Sequence, residues 1–229
     1  MNQPEKGAAR AAGIALIWGC LCMIAGAALW ASSGTDLWTT LHLRDMADHL
    51  FAASAARTAL LANLTLWVIG VLLLGFGGSV AASTFVQRPN AALAAQLCFR
   101  TGVPLAILAF IVMAAILVEI GNDRTMTNIR IAEILAWIAT RTDDVATALI
   151  ICGGPFFLAQ TGWRDWAPRF LVRWGYLAGL TVLSAPAAWI TGIVPLSFVN
   201  VPVGIGWLLV AGVVLLRRSK ARHIEPEAA

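Results

Sequence analysis

Charge is scarce in this chain. Only 12% of its 229 residues are Asp, Glu, Lys or Arg, whereas a water-soluble domain carries about 25%. With 59% hydrophobic residues and a mean hydropathy of +0.79, a water-soluble domain is excluded. Catalytic signatures are missing too: there is no GxSxG elbow, Walker loop, Rossmann glycine pattern or HExxH. None of the three histidines falls inside a long apolar run, which disfavours bis-histidine haem ligation in a helix bundle. Away from the charged ends of those runs, the strongly polar residues that stand out are Asn63, Glu119 and Asn200, fewer than an ion pump or intramembrane protease needs. The four cysteines, Cys20, Cys22, Cys98 and Cys152, form no CxxC pair and lie in no outward segment. They imply apolar packing rather than a disulfide framework. A net charge of +4 raises the question of nucleic acid. The basic residues lie in short clusters beside apolar runs, not along an aromatic-interleaved groove, so no nucleic-acid partner is expected.

What the chain has is apolar length. Runs over 12–31, 59–80, 101–120, 144–161, 170–191 and 196–216 are each long enough to cross about 30 Å of hydrocarbon. The first exceeds the apolar core of a signal peptide and ends in Leu29-Trp30-Ala31, a poor cleavage site, so it is expected to be a span. The expectation is a single all-α membrane domain of six transmembrane helices over residues 1–229.

Orientation follows from the stretch between Gly162 and Gly175, where three arginines and three tryptophans separate two apolar runs. Assigned to alternating sides, Lys6, Arg10, Arg88, Arg100, Arg164, Arg169, Arg173, Arg217, Arg218, Lys220 and Arg222 fall together. Only Arg44, Arg57, Arg124, Arg130 and Arg141 fall opposite. The positive-inside rule then puts both termini in the cytoplasm. Tryptophans agree: Trp30, Trp38, Trp67, Trp137 and Trp189 mark the outer edge, and Trp163, Trp166 and Trp174 the inner one. The basic tail from Arg217 to His223 reads as a topology anchor on anionic lipid.

The two outer connections carry apolar stripes among charges. Residues 35–57 and 129–140 are too short and polar to span, and read as amphipathic helices lying in the outer interface. Thr142, Asp143 and Asp144 would then cap the fourth span. One long helix over 129–161 is the alternative.

Two groups of residues carry candidate chemistry. On the outer side, His42, Asp45 and His49 would share a face if 42–49 were one helix, with Glu119 at the edge of span three. Two imidazoles and a carboxylate at that spacing suit a transition metal or a proton relay. A solvated interfacial face is the simpler reading and the preferred one, and no metal is assigned. In the second half, Gly153, Gly154 and Pro155 interrupt span four, Pro186 span five, and Asn200 and Pro202 span six. Proline frees carbonyls that hydrocarbon cannot satisfy, so these six residues could frame a cavity at middle depth; kinking for close helix packing is the simpler reading of the same breaks. Pro104 is placed in a first turn, where it is harmless.

The residues Phe156-Phe157-Leu158, Gly162, Pro168-Arg169-Phe170-Leu171 and Gly175-Tyr176-Leu177-Ala178-Gly179, with the six-span pattern, resemble a family of six-helix bacterial membrane proteins defined only as a domain of unknown function. The resemblance implies a fold and a bacterial inner membrane, and no catalytic residue or cofactor. The functional expectation is a non-enzymatic protein binding an apolar or lipid-like ligand, or an accessory subunit of a membrane complex. Its partners would be the bilayer and a membrane protein or second copy. A small transporter using the broken helices, and a membrane enzyme using the outer polar residues, are the alternatives.

Overall fold

The computed structural model describes residues 3–85, 88–120, 125–163 and 165–221, and its architecture is helical throughout. Five helices are long and apolar enough to cross a membrane. They are α1 (Gln3–Ser32), α4 (Arg57–Thr84), α5 (Pro89–Ala115) with a π turn at Ile116–Ile120, a composite helix, and α10 (Asn200–Ala221). The composite helix joins α6 (Met126–Thr147), a π segment (Ala148–Gly153) and α7 (Gly154–Gly162) without a gap, 37 residues in all. Two short helices, α2 (Leu37–Leu43) and α3 (Met46–Ala55), link α1 to α4. Between α7 and α10 the chain forms α8 (Arg169–Leu180), a 3-10 turn (Thr181–Leu183), α9 (Ser184–Thr191) and a second 3-10 turn (Val194–Phe198).

Helix α1 is the spine, packed chiefly on α4 and then α10. Two polar groups on α4 reach across to its backbone: Asn63 Nδ2 donates to Gly26 O at 2.9 Å and Trp67 Nε1 to Met23 O at 3.2 Å. In an apolar surrounding such donors must find carbonyls, and doing so ties the helices together. The α1–α10 crossing relies on paired glycines. A Cβ on Gly13 would lie 2.8 Å from Gly212 O, and one on Gly212 would lie 2.9 Å from Gly13 O.

The ends of the bundle are distinct. At one, the Phe85 and Trp166 rings meet at 5.7 Å and Arg218 pairs with Asp165 at 3.0 Å. At the other, Trp30 and Trp38 each meet Phe198 at 5.6 Å, and Trp189 reaches Asp144. The chain from Arg169 to Thr191 runs from the first end to the second as two helices joined by a 3-10 turn.

Several sequence expectations are corrected here. The stretches 129–140 and 144–161 are not an interfacial helix and a separate span but one continuous helix, the alternative weighed above. Its N-cap is therefore Thr125, whose side chain accepts from Asn128 N, and not Thr142. Pro155 does not interrupt it. The wider π turn before it removes the clash a proline makes with the preceding turn, and Gly154 N–H bonds Leu149 O instead. In the fifth run the irregular turn falls at Thr181–Leu183, and Pro186 sits in the first turn of α9. Pro202 likewise sits in the first turn of α10, where its missing N–H costs little. The third span begins at Pro89, because the alanines at 91, 92, 94 and 95 propagate helix through a polar stretch. Pro104 is thus inside α5 and not in its first turn. The four cysteines are free thiols.

Candidate functional site

Between α1, α4, α5, the composite helix and α10 lies a cavity of about 580 Å³. That volume suits a drug-sized molecule. Its walls are aliphatic and aromatic: Val71, Leu74, Ile205 and Leu209 toward the middle of the bundle, and Trp30, Trp38, Trp67, Phe110 and Phe198 nearer the Asp144 end. The rings form a continuous chain, with Trp30–Trp67 centroids at 6.5 Å and Trp67–Phe110 at 5.4 Å. Polarity is concentrated at Asp143, Asp144, Thr147 and Ser197.

Asp144 is buried and fully engaged. Its Oδ2 accepts from Arg141 Nη1 at 2.9 Å and Trp189 Nε1 at 3.2 Å, and its Oδ1 from Trp38 Nε1 at 3.4 Å. The Arg141 guanidinium in turn lies 4.5 Å over the Trp189 ring. The cluster joins three elements: α2 supplies Trp38, α6 supplies the ion pair, and α9 supplies Trp189. Asp36 caps α2 by accepting from Trp38 N at 3.1 Å and Thr39 N at 3.3 Å, which fixes where the Trp38 indole begins. A second cavity, of about 420 Å³, opens on the far side of this cluster. It is lined by His42, Arg44, Trp137 and Arg141, and shares Trp38 and Ser197 with the first. Arg44 there has a left-handed backbone (φ 58°), the one non-glycine positive φ among the described residues.

The outer polar site expected at His42, Asp45, His49 and Glu119 does not assemble. Residues 42–49 are not one helix, because α2 ends at Leu43 and Arg44 turns the chain before α3. Asp45 becomes the residue preceding α3 and makes no side-chain cap bond. His42 faces the second cavity beside Gly192, whereas His49 turns the other way and its Nδ1 pairs with Thr40 Oγ1 at 3.0 Å. Burial pushes the His49 imidazole below its ordinary pKa, with the Asp36 charge opposing. Glu119 is exposed on the π turn after α5. No cluster of metal-ligating side chains occurs among the described residues. Nearby in the chain, Glu133 pairs with Arg130 at 2.9 Å, and Asp123 and Arg124 lie outside the described residues. So do Arg164 and the tail residues Arg222 and His223.

The six residues expected around a mid-depth cavity do not share one. Only Pro202 lines the large cavity. Gly153 and Gly154 instead accommodate Cys98 and Phe99 of α5, and Pro155 O approaches Gly175 of α8. Asn200 is buried, and its Oδ1 has no hydrogen-bond partner. Around Gly153 to Pro155 the irregular turn therefore lies in close packing with α5 and α8.

What sequence reading missed is the convergence of Trp38, Arg141, Asp143, Asp144 and Trp189. The two aspartates looked like a helix cap and the tryptophans like an interface belt. An Asp-Asp pair within reach of a helical Arg at i−3 was the available signal. No protein-family model, curated protein or solved structure matches the chain.

Proposed function

We propose that this is a bacterial inner-membrane protein of six spans, both termini cytoplasmic, that binds an apolar or lipid-like ligand without transforming it. The cavity of about 580 Å³ carries this reading, since its walls are almost wholly apolar and its few polar groups sit at one end. The sixth span would be α8 with α9, which cover the same bundle height as their neighbours. The biased distribution of Lys and Arg supports the orientation, and the resemblance to a six-helix bacterial family belongs to the same proposal. A role as accessory subunit draws on no particular face. Large apolar side chains are exposed on every long helix, Trp18, Phe76, Ile111 and Ile134 among them, as lipid contact alone requires.

The binding test uses a neutral fluorescent probe, N-phenyl-1-naphthylamine, with the purified chain. Saturable binding is expected, and Ala27→Phe, which pushes a ring into the cavity, should weaken it about ten-fold while the protein stays folded. Absence of saturable binding to the wild type would overturn the reading. Orientation is checked by cysteine labelling in intact cells: position 33 or 125 should react from outside, and 88 or 220 should not.

A further inference from the structure

The polar end of the large cavity is short of one positive charge. Two adjacent carboxylates, Asp143 and Asp144, line it, and no Lys, Arg or His does. Arg141 and two indole N–H groups satisfy Asp144. Asp143 has no hydrogen-bond or ion-pair partner among the described residues, yet it is only partly accessible and the cavity is the space it lines. An unpaired carboxylate against apolar walls is unfavourable by several kcal/mol unless a cation or a proton meets it. The same cavity is lined by Trp30, Trp38, Trp67 and Phe198, in ring-to-ring contact, and Trp38 reaches the neighbouring Asp144. Aromatic faces attract cations, organic ammonium ions above all, when water is excluded.

Accepting the apolar-ligand reading above, we propose that the cavity selects a lipophilic organic cation. The charged centre would sit between the Asp143 carboxylate and the tryptophan faces, and the apolar body would lie along Val71, Leu74, Ile205 and Leu209. The two arginines nearest this region favour that sign. Arg141 is already committed to Asp144, and Arg44 lines the other cavity, beyond the Trp38 partition. A neutral ligand would leave Asp143 to be relieved by a proton alone, and an anion would meet the carboxylate with like charge.

The test compares tetraphenylphosphonium with tetraphenylborate, ions of the same shape and opposite charge, by titration against the purified full chain in neutral detergent. Tetraphenylphosphonium should bind saturably, at least about ten-fold more tightly than the borate, and should displace the neutral naphthylamine probe. Asp143→Asn should weaken the cation about ten-fold and leave the neutral probe unchanged. Asp143→Glu should restore most of the affinity. The charge preference of the wild type needs no variant, so a misfolded mutant cannot hide the answer. If the neutral probe binds while the cation shows no preference over the borate, or while a folded Asp143→Asn binds it as well as wild type, the cation proposal is overturned and the apolar-ligand reading stands. If neither the neutral probe nor the cation binds, the underlying reading fails first.

Discussion

Helices α1 and α4 run 30 and 28 residues without an irregular turn, whereas the chain from Ala148 to Phe198 passes through one π segment and two 3-10 turns. The straight pair is held by small residues and by donors reaching carbonyls across a close interface. In the irregular half, two of the three breaks line the cavity. The π segment contributes Ile150 and Ile151 to the wall, and the second 3-10 turn contributes Ser197 and Phe198. The turn at Thr181–Leu183 lines nothing itself but leads into α9, whose Trp189 reaches Asp144. The straight half therefore supplies a rigid wall that includes Trp30 and Trp67, and the irregular half adds Phe198, Ser197 and the Trp189–Asp144 contact.

This comparison is broken most severely by damaging the frame. Gly78 of α4 faces Phe99, which is fully buried, and a Cβ there would enter the ring. Gly78→Leu should lower stability by about 3 kcal/mol, because the buried Phe99 ring of α5 leaves no room for a side chain. Gly7, with nothing within 4 Å of its would-be Cβ, is the control, and Gly7→Leu should be neutral or slightly stabilising. Denaturant titration of both variants in detergent measures the contrast. Equal effects would mean that the Phe99 contact does not restrict what position 78 can hold.

The next effect in size sharpens the comparison inside the composite helix, which carries two arginine pairs of the same i, i+3 spacing. Arg141–Asp144 has side chains 30% and 9% exposed, and Arg130–Glu133 has 73% and 27%. Arg141→Ala leaves a buried carboxylate with only indole donors, and should reduce stability by about 2 kcal/mol. Arg130→Ala should change it by less than about 0.5 kcal/mol. The same titration reads both, and similar losses would remove Asp144 from its proposed place as an anchor.

Much of the straight half was legible in the sequence, because apolar length and tryptophan placement report a span directly. Asn63 could be recognised as polar inside a run, although its partner, Gly26 O, could not. The irregular half was read less well for a definite reason. Glycine and proline signal that a helix is perturbed, but π and 3-10 turns absorb the perturbation with few lost hydrogen bonds. The breaks were therefore expected at Pro155 and Pro186 and are found before each, at Ala148–Gly153 and Thr181–Leu183. The candidate site fared worst. Its members come from α1, α2, α4, α5, the composite helix, the turn before α10 and α10 itself, and no local spacing encodes that convergence. The His42–His49 motif had the opposite fault, since a single αL residue at Arg44 separates its two ends.

The smallest effect concerns the pair of short helices that bridges the frame to the site. His49 lines a small cavity with Trp30, Asn63 and Trp67, and holds Thr40 of α2 through Nδ1. Burial lowers its folded pKa below the ordinary value, and the more distant charge of Asp36 only partly offsets this. The unfolded chain therefore binds the proton more readily. Above the unfolded pKa of about 6.5 the imidazole is neutral in both states and contributes no pH dependence. As pH falls through that value toward the folded one, the unfolded state gains a proton first, and stability declines. Below the folded value the loss is complete and the slope flattens. Melting curves between pH 8 and pH 5 should show wild type losing ground relative to His49→Gln, which keeps a hydrogen-bonding group for Thr40 but cannot titrate. A difference that stays constant over that range would place His49 in water, and α3 away from the α1–α4 frame.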